Sequence, residues 1–136
     1  MSEDKKIVWW YHRVYYAETD AMGVVYYGNY FEWFEQARDN YLRNRGMSYA
    51  EIEERGIFLP VTETFCRYLY PARYDEEIKV KTWVKKVARA SIVFGYEVYN
   101  LTSQDKLMTQ AETTHACVNK EGKITRIPKW LLEIVS

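Results

Sequence analysis

The chain of 136 residues is short of several things, and each shortage narrows what it can be. Cysteine occurs twice, at Cys66 and Cys117, far apart and with no export signal, so a disulfide-built scaffold is not expected and both read as reduced core thiols. Histidine also occurs twice, at His12 and His115, and such scattered ligands make no metal centre. Net charge is absent, with 19 Lys and Arg against 19 Asp and Glu, so nothing draws the chain to nucleic acid or an anionic membrane. No stretch approaches the ~20 apolar residues of a membrane span. The opening MSEDKKIVWW lacks the apolar core and cleavage site of a signal peptide. A cytoplasmic protein is expected.

Aromatic residues are present in excess, at 17% with thirteen Tyr and five Trp. At that density they fill a core and also line apolar clefts and subunit interfaces. The length suits one domain, spanning 1–136. After a charged tail over residues 1–6, residues 7–16 (IVWWYHRVYY) read as a first strand. From Tyr30 the period changes: Tyr30, Trp33, Phe34, Ala37, Tyr41 and Leu42 form an apolar helical stripe. Asn29 is the expected N-cap with Glu32 as its capping partner, and Gly46 the expected stop. A short second helix follows over 48–55, capped by Ser48 and closed by Gly56. Strands are then expected over 58–70, around Ile78 to Val84, and over 91–101, 107–118 and 123–127, before a tail at 130–135 that packs down. Gly95, inside a strand, marks a bulge or a close approach. The sum is an α+β domain in which an antiparallel sheet of about five strands curls round one long helix. Its open sheet edges invite a second copy, so a homodimer or homotetramer is expected.

The stretch around which the rest is organised is residues 16–30, YAETDAMGVVYYGNY. A carboxylate, Asp20, and a flexible elbow, Ala21-Met22-Gly23, stand just ahead of the long helix. That arrangement aims a helix N-terminus at a polar centre and brings Asp20 back beside it. On local chemistry Asp20 reads equally well as a reacting carboxylate and as an Asx cap of the elbow. His12 reads as a partly exposed strand residue, and His115, in phase with Ala111, as a hydrogen-bonded core residue.

Glu18-Thr19-Asp20, Gly23, Val24-Val25, Tyr26-Tyr27 and Asn29-Tyr30, with the later Arg67-Tyr68-Leu69 and Pro71-Ala72-Arg73-Tyr74-Asp75, resemble the hotdog-fold acyl-CoA thioesterases. Within them the pattern looks like that of the 4-hydroxybenzoyl-CoA thioesterase and YbgC-type group. Many relatives have His where Tyr27 stands, so a mechanism that needs imidazole there is not available. The resemblance implies acyl-CoA hydrolysis with no separate cofactor, coenzyme A being part of the substrate. An acyl-carrier protein is the alternative carrier. It implies Asp20 as nucleophile or general base and the Tyr27 amide as the donor that polarises the carbonyl. Gly23, Val24 and Val25 would line the substrate. Coenzyme A carries phosphates, and Lys85, Lys86 and Arg89, just before Ser91, form the compact basic group to meet them; Arg89 suits phosphate best. Glu32 and Glu35 are rival carboxylates. Two other functions remain: a non-catalytic acyl-CoA or acyl-carrier-protein binder, and a dehydratase using a His and a carboxylate.

Overall fold

A computed structural model describes residues 6–136. The tail expected over 1–6 therefore lies, apart from Lys6, outside the described residues. The elements run β1 (Val8–Arg13), a 3-10 turn (Tyr16–Glu18), α1 (Tyr27–Asn44), α2 (Tyr49–Glu54), β2 (Val61–Tyr68), β3 (Glu77–Val87), β4 (Ser91–Asn100), β5 (Lys106–Ala116) and α3 (Lys129–Val135). The five strands form one antiparallel sheet in the order β1-β3-β4-β5-β2. With α1 laid on one face, this is the hotdog arrangement.

The alternation of the central strands decides which face is covered. Ile78, Val80 and Thr82 of β3, Ile92, Phe94, Tyr96 and Val98 of β4, and Thr109, Ala111, Thr113 and His115 of β5 are buried on the helix side. The stripe on α1 meets them, with Phe34 stacked on Tyr96 at 4.6 Å between ring centroids and Tyr41 edge-on to Phe94 at 6.0 Å. Each fully buried ring or branched chain contributes about 1.5–3 kcal/mol. On the opposite face, Gly95 is a point of close approach: a Cβ there would lie 2.5 Å from the indole of Trp83, its cross-strand neighbour. The edge strand β2 differs from the rest, being exposed along nearly its whole length, with Phe65 at 52%.

Gly46 (φ +118°) follows the C-cap of α1, Ser48 and Glu51 form a reciprocal capping box on α2, and Gly56 (φ +86°) closes it. Several boundaries differ from expectation, among them the strand expected over 58–70, which runs only over Val61–Tyr68. The first strand ends at Arg13, because Val14 turns to exchange main-chain bonds with Asp75 and Glu76. Residues 123–127 make only a single bridge, Val118 to Ile124, because Ile127 is drawn away to the Arg89 carbonyl. The tail does pack down, as α3, burying Leu131, Ile134 and Val135. Finally, α1 begins at Tyr27 with Tyr26 as its N-cap, not at Asn29. The Asn29 side chain is inside the first turn, donating to the Glu18 carbonyl at 2.7 Å, and Glu32 is exposed, so no capping box forms there.

Candidate active site

The elbow closes on itself. The Asp20 amide donates to the Val24 carbonyl at 2.8 Å and the Gly23 amide to the Asp20 carbonyl at 2.9 Å. Gly23 sits at φ +80°, a conformation that glycine adopts at no steric cost. One carboxylate oxygen of Asp20, Oδ1, accepts the Met22 amide at 2.9 Å and that of Val24 at 3.4 Å. Asp20 is thus an Asx cap by geometry and yet solvent-exposed, with Oδ2 outside that pair of bonds. The elbow is pinned on both sides: Thr19 bridges Val25, Val24 bridges Arg73, and the Val25 amide donates to the Ala72 carbonyl at 2.8 Å.

Tyr27 follows at once as the first residue of α1. The leading N–H groups of a helix have no partner within it and carry the positive end of its dipole. The structure therefore places Asp20, Gly23, Val24, Val25 and the Tyr27 amide in one small loop at the helix start. The Val25 side chain is buried in the core, so it reaches this loop only through its backbone. Around it stand tyrosines: Tyr26 against Tyr27 at 5.7 Å, Tyr27 against Tyr68 at 5.5 Å, and Tyr30, buried, against Tyr68 at 5.1 Å. Burial, reinforced by Cys66, pushes the Tyr68 hydroxyl far up, so it stays protonated.

Lys86, Arg89 and Ser91 are elsewhere. They belong to the β3–β4 hairpin, whereas the elbow lies beside the start of β3. Ile78 to Lys86 is eight steps along β3, about 26 Å at ~3.3 Å per residue. Lys85 is paired with Glu112. A concavity of about 690 Å³ is likewise away from the elbow. Its lining includes Glu35, Arg38, Leu59, Pro60, Val61 and His115, at the start of β2.

Sequence reasoning missed one group. His12, read as a plain strand residue, is half-buried and its Nε2 donates to both oxygens of Glu18 at 3.0 and 3.1 Å. Trp33 Nε1 donates to the same carboxylate at 2.8 Å, as does the Tyr15 amide. Burial alone would raise the Glu18 carboxyl, but the bonds from Trp33, His12 and Tyr15 and the His12 charge hold it below the usual range. The only signal was Glu18 itself, an acid placed two residues before Asp20. A dehydratase reading gains nothing from the pair, since His12 is closed in by Trp10, Tyr15 and Trp33. His115 is the core residue expected, bonded to Thr113 and the Leu59 carbonyl. Both thiols are free. Among the described residues no group of acidic, His and Cys side chains could hold a metal, and no helix is long and apolar enough to cross a membrane.

Comparison with known proteins identifies the family. A "Putative acyl-CoA thioesterase YneP" of Bacillus subtilis (strain 168) is 37% identical over 109 residues, covering 80% of this chain and 78% of the relative. The "Acyl-CoA thioester hydrolase YbgC" of Escherichia coli O6:H1 is 32% identical over 110 residues, 81% of each chain. Among solved structures, the DHNA-CoA thioesterase of Staphylococcus aureus superposes with a TM-score of 0.86 at 39% identity, covering 93% of this chain and 87% of that one. The model of the thioesterase-like superfamily matches residues 14–135, and the chain belongs to that family.

Proposed function

We propose that the protein hydrolyses the thioester of an acyl-CoA to the free acid and coenzyme A. The carrying observation is the elbow: an exposed carboxylate held by its own loop beside the first amide of an 18-residue helix, in a chain whose relatives are named thioesterases. The thioester oxygen would accept from the Tyr27 N–H as negative charge develops on it. Asp20 would act through Oδ2 in one of two ways. It can attack the carbonyl carbon, expelling the thiolate and forming a mixed anhydride that water then opens. It can instead take a proton from the water that attacks. Either route adds one water and releases one acid and one thiol.

Phosphates of coenzyme A would be met by Lys86 and Arg89 beside Ser91, with an acyl-carrier protein as the alternative carrier. Within one protomer these residues are at the wrong end of the sheet, so the reading requires a second copy. The bare edge of β2 supports one. A two-fold axis normal to the sheet would pair β2 antiparallel with its copy, laying the elbow end of one protomer against the hairpin end of the other. The same operation brings the 690 Å³ concavity, at the start of β2, toward the partner's Tyr68 and elbow.

Thiol release from a panel of acyl-CoAs tests the reading. Asp20→Asn, nearly isosteric, should fold normally and lose on the order of a hundredfold or more in kcat, with KM little changed. A near-wild-type rate would reduce Asp20 to a turn residue. One observation favours the second reading, a non-catalytic binder: Oδ1 already holds the elbow amides, as a purely structural Asp would. Acyl-CoA binding without thiol release would select it.

A further inference from the structure

The reaction proposed above leaves Glu18 without a task, although it joins more elements than any other side chain near the elbow. Its carboxylate, 14% exposed, accepts from His12 on β1 at 3.0 and 3.1 Å, from Trp33 on α1 at 2.8 Å and from the Tyr15 amide at 2.8 Å. Its own main-chain carbonyl accepts the Tyr26 amide at 3.0 Å and the Asn29 side chain at 2.7 Å. One residue therefore ties β1 to α1 through its side chain and caps the first turn of α1 through its backbone. The Tyr26 amide it holds immediately precedes the Tyr27 amide, and Asp20 follows Glu18 by two residues. His12 cannot drift, being stacked on Trp10 at 5.0 Å with Tyr15 edge-on at 5.2 Å.

Both carboxylate oxygens are engaged, Oε1 by His12 and Tyr15 and Oε2 by His12 and Trp33. Such a group is built to hold a position and cannot turn toward a substrate. The bonds are charge-assisted and shielded from water, which makes them stiff. We infer that Glu18 is the positioning residue of this site, setting the height of α1 against β1 so that the Tyr27 amide and the Asp20 carboxylate reach the same carbonyl; the inference rests on the hydrolase reading above. Proximity effects make such alignment costly to lose, since a displacement of about 1 Å can cost on the order of a hundredfold in rate.

The test compares Glu18→Ala, Glu18→Gln and Asp20→Asn in the full chain, with kcat and KM for acyl-CoA and the melting temperature of each. Glu18→Ala should lose about ten- to a hundredfold in kcat while KM stays within about twofold. Glu18→Gln should recover part of that loss, because its one amide oxygen can still accept from Trp33 or from Tyr15 while its NH2 can donate to His12 in the other tautomer. Added to Asp20→Asn, Glu18→Ala should cost little more, since nothing remains to be misaligned. Glu18→Ala with a lowered melting temperature and unchanged kcat would make Glu18 a strut for stability and overturn the inference. Equal loss in the Gln and Ala variants would overturn it differently, by showing that the charge itself takes part in the reaction. A wild-type rate for Asp20→Asn would remove Asp20 from the reaction and overturn this inference, whereas acyl-CoA binding with no thiol release by the unsubstituted chain would sink the hydrolase reading itself. If Glu18→Ala does not fold, Trp33→Phe removes one donor to the carboxylate and keeps a ring. Several-fold lower kcat is then expected, and an unchanged kcat overturns the inference.

Discussion

His115 shows how much one buried proton can organise. Its Nδ1 faces the Leu59 carbonyl at 2.8 Å, and a carbonyl only accepts, so the proton of the neutral ring is there. Nε2 must then accept from Thr113 at 2.8 Å, Thr113 from Tyr96 at 2.7 Å, and Tyr96 from Arg38 at 3.1 Å. Four side chains point one way because one ring is uncharged. Burial, with the Arg38 charge, lowers the His115 pKa from 6.5 to about 4, against the pull of the Leu59 carbonyl. The folded state thus refuses a proton that the unfolded chain binds, so this contribution is complete above pH 6.5 and drains away as pH falls toward 4. Urea unfolding at pH 7 and 4.5 should show a fall that His115→Gln, less stable throughout, shows less steeply; each pH unit in that window costs up to about 1.4 kcal/mol. The core position of His115 was legible in the strand's period of two. The chain of donors was not, because Arg38, Tyr96 and Thr113 are on three different elements.

Among the elements, α1 divides what a sequence shows from what it hides. All six apolar positions of its stripe are buried as the 3.6-residue period requires, and its stop at Gly46 follows glycine's tolerance of positive φ. Its start was misread, since Asn29 is the better local cap. Distant bonds overrode that preference: the Glu18 carbonyl takes both the Tyr26 amide and the Asn29 side chain, winding the helix one turn earlier. A local rule failed at the helix end whose first amides the proposed reaction uses, and such failures are expected at functional sites. The cap of α2 obeys the rule, Ser48 Oγ accepting from the Glu51 amide at 3.2 Å and Glu51 Oε1 from the Ser48 amide at 2.8 Å. Ser48→Ala should therefore cost about 1 kcal/mol by chemical denaturation. It should leave kcat untouched, and a change in kcat would mean that α2 reaches the site.

On the scale of the whole molecule, the separation of Asp20 from Arg89 along the sheet turns assembly into a kinetic question. A phosphate contact of Arg89, as proposed, would help ground state and transition state alike, so Arg89→Ala should raise KM and spare kcat. An acyl-pantetheine lacking the nucleotide should not feel the change, and the defect should shrink with salt as the ~10 Å Debye length at 0.1 M shortens. If each site takes Asp20 from one protomer and Arg89 from the other, a mixed dimer of Asp20→Asn and Arg89→Ala chains contains one intact site. Mixing the two variants under exchange conditions should restore activity at substrate levels below the variant KM. No restoration would place both residues in one protomer's site and contradict the two-fold arrangement. Sedimentation at micromolar concentration should show no major monomer. The open edges that make a homodimer expected were legible in the sequence; the distance between Asp20 and the basic group was not, because spacing along a chain does not say which end of a sheet each residue takes.

The strand order has a last consequence, in time. Helix α1 is complete at Asn44, but the sheet it packs on is finished only at Ala116, the end of β5 and 72 residues later. At roughly 5–20 residues per second, a nascent chain spends about 4–14 s with the apolar stripe of α1 made and its sheet unfinished. β2 waits too, since its ladder partner is β5. The ribosome therefore feeds out the apolar stripe of α1 and the strand β2 before the strands that complete their packing. The cell must carry this protein through those seconds.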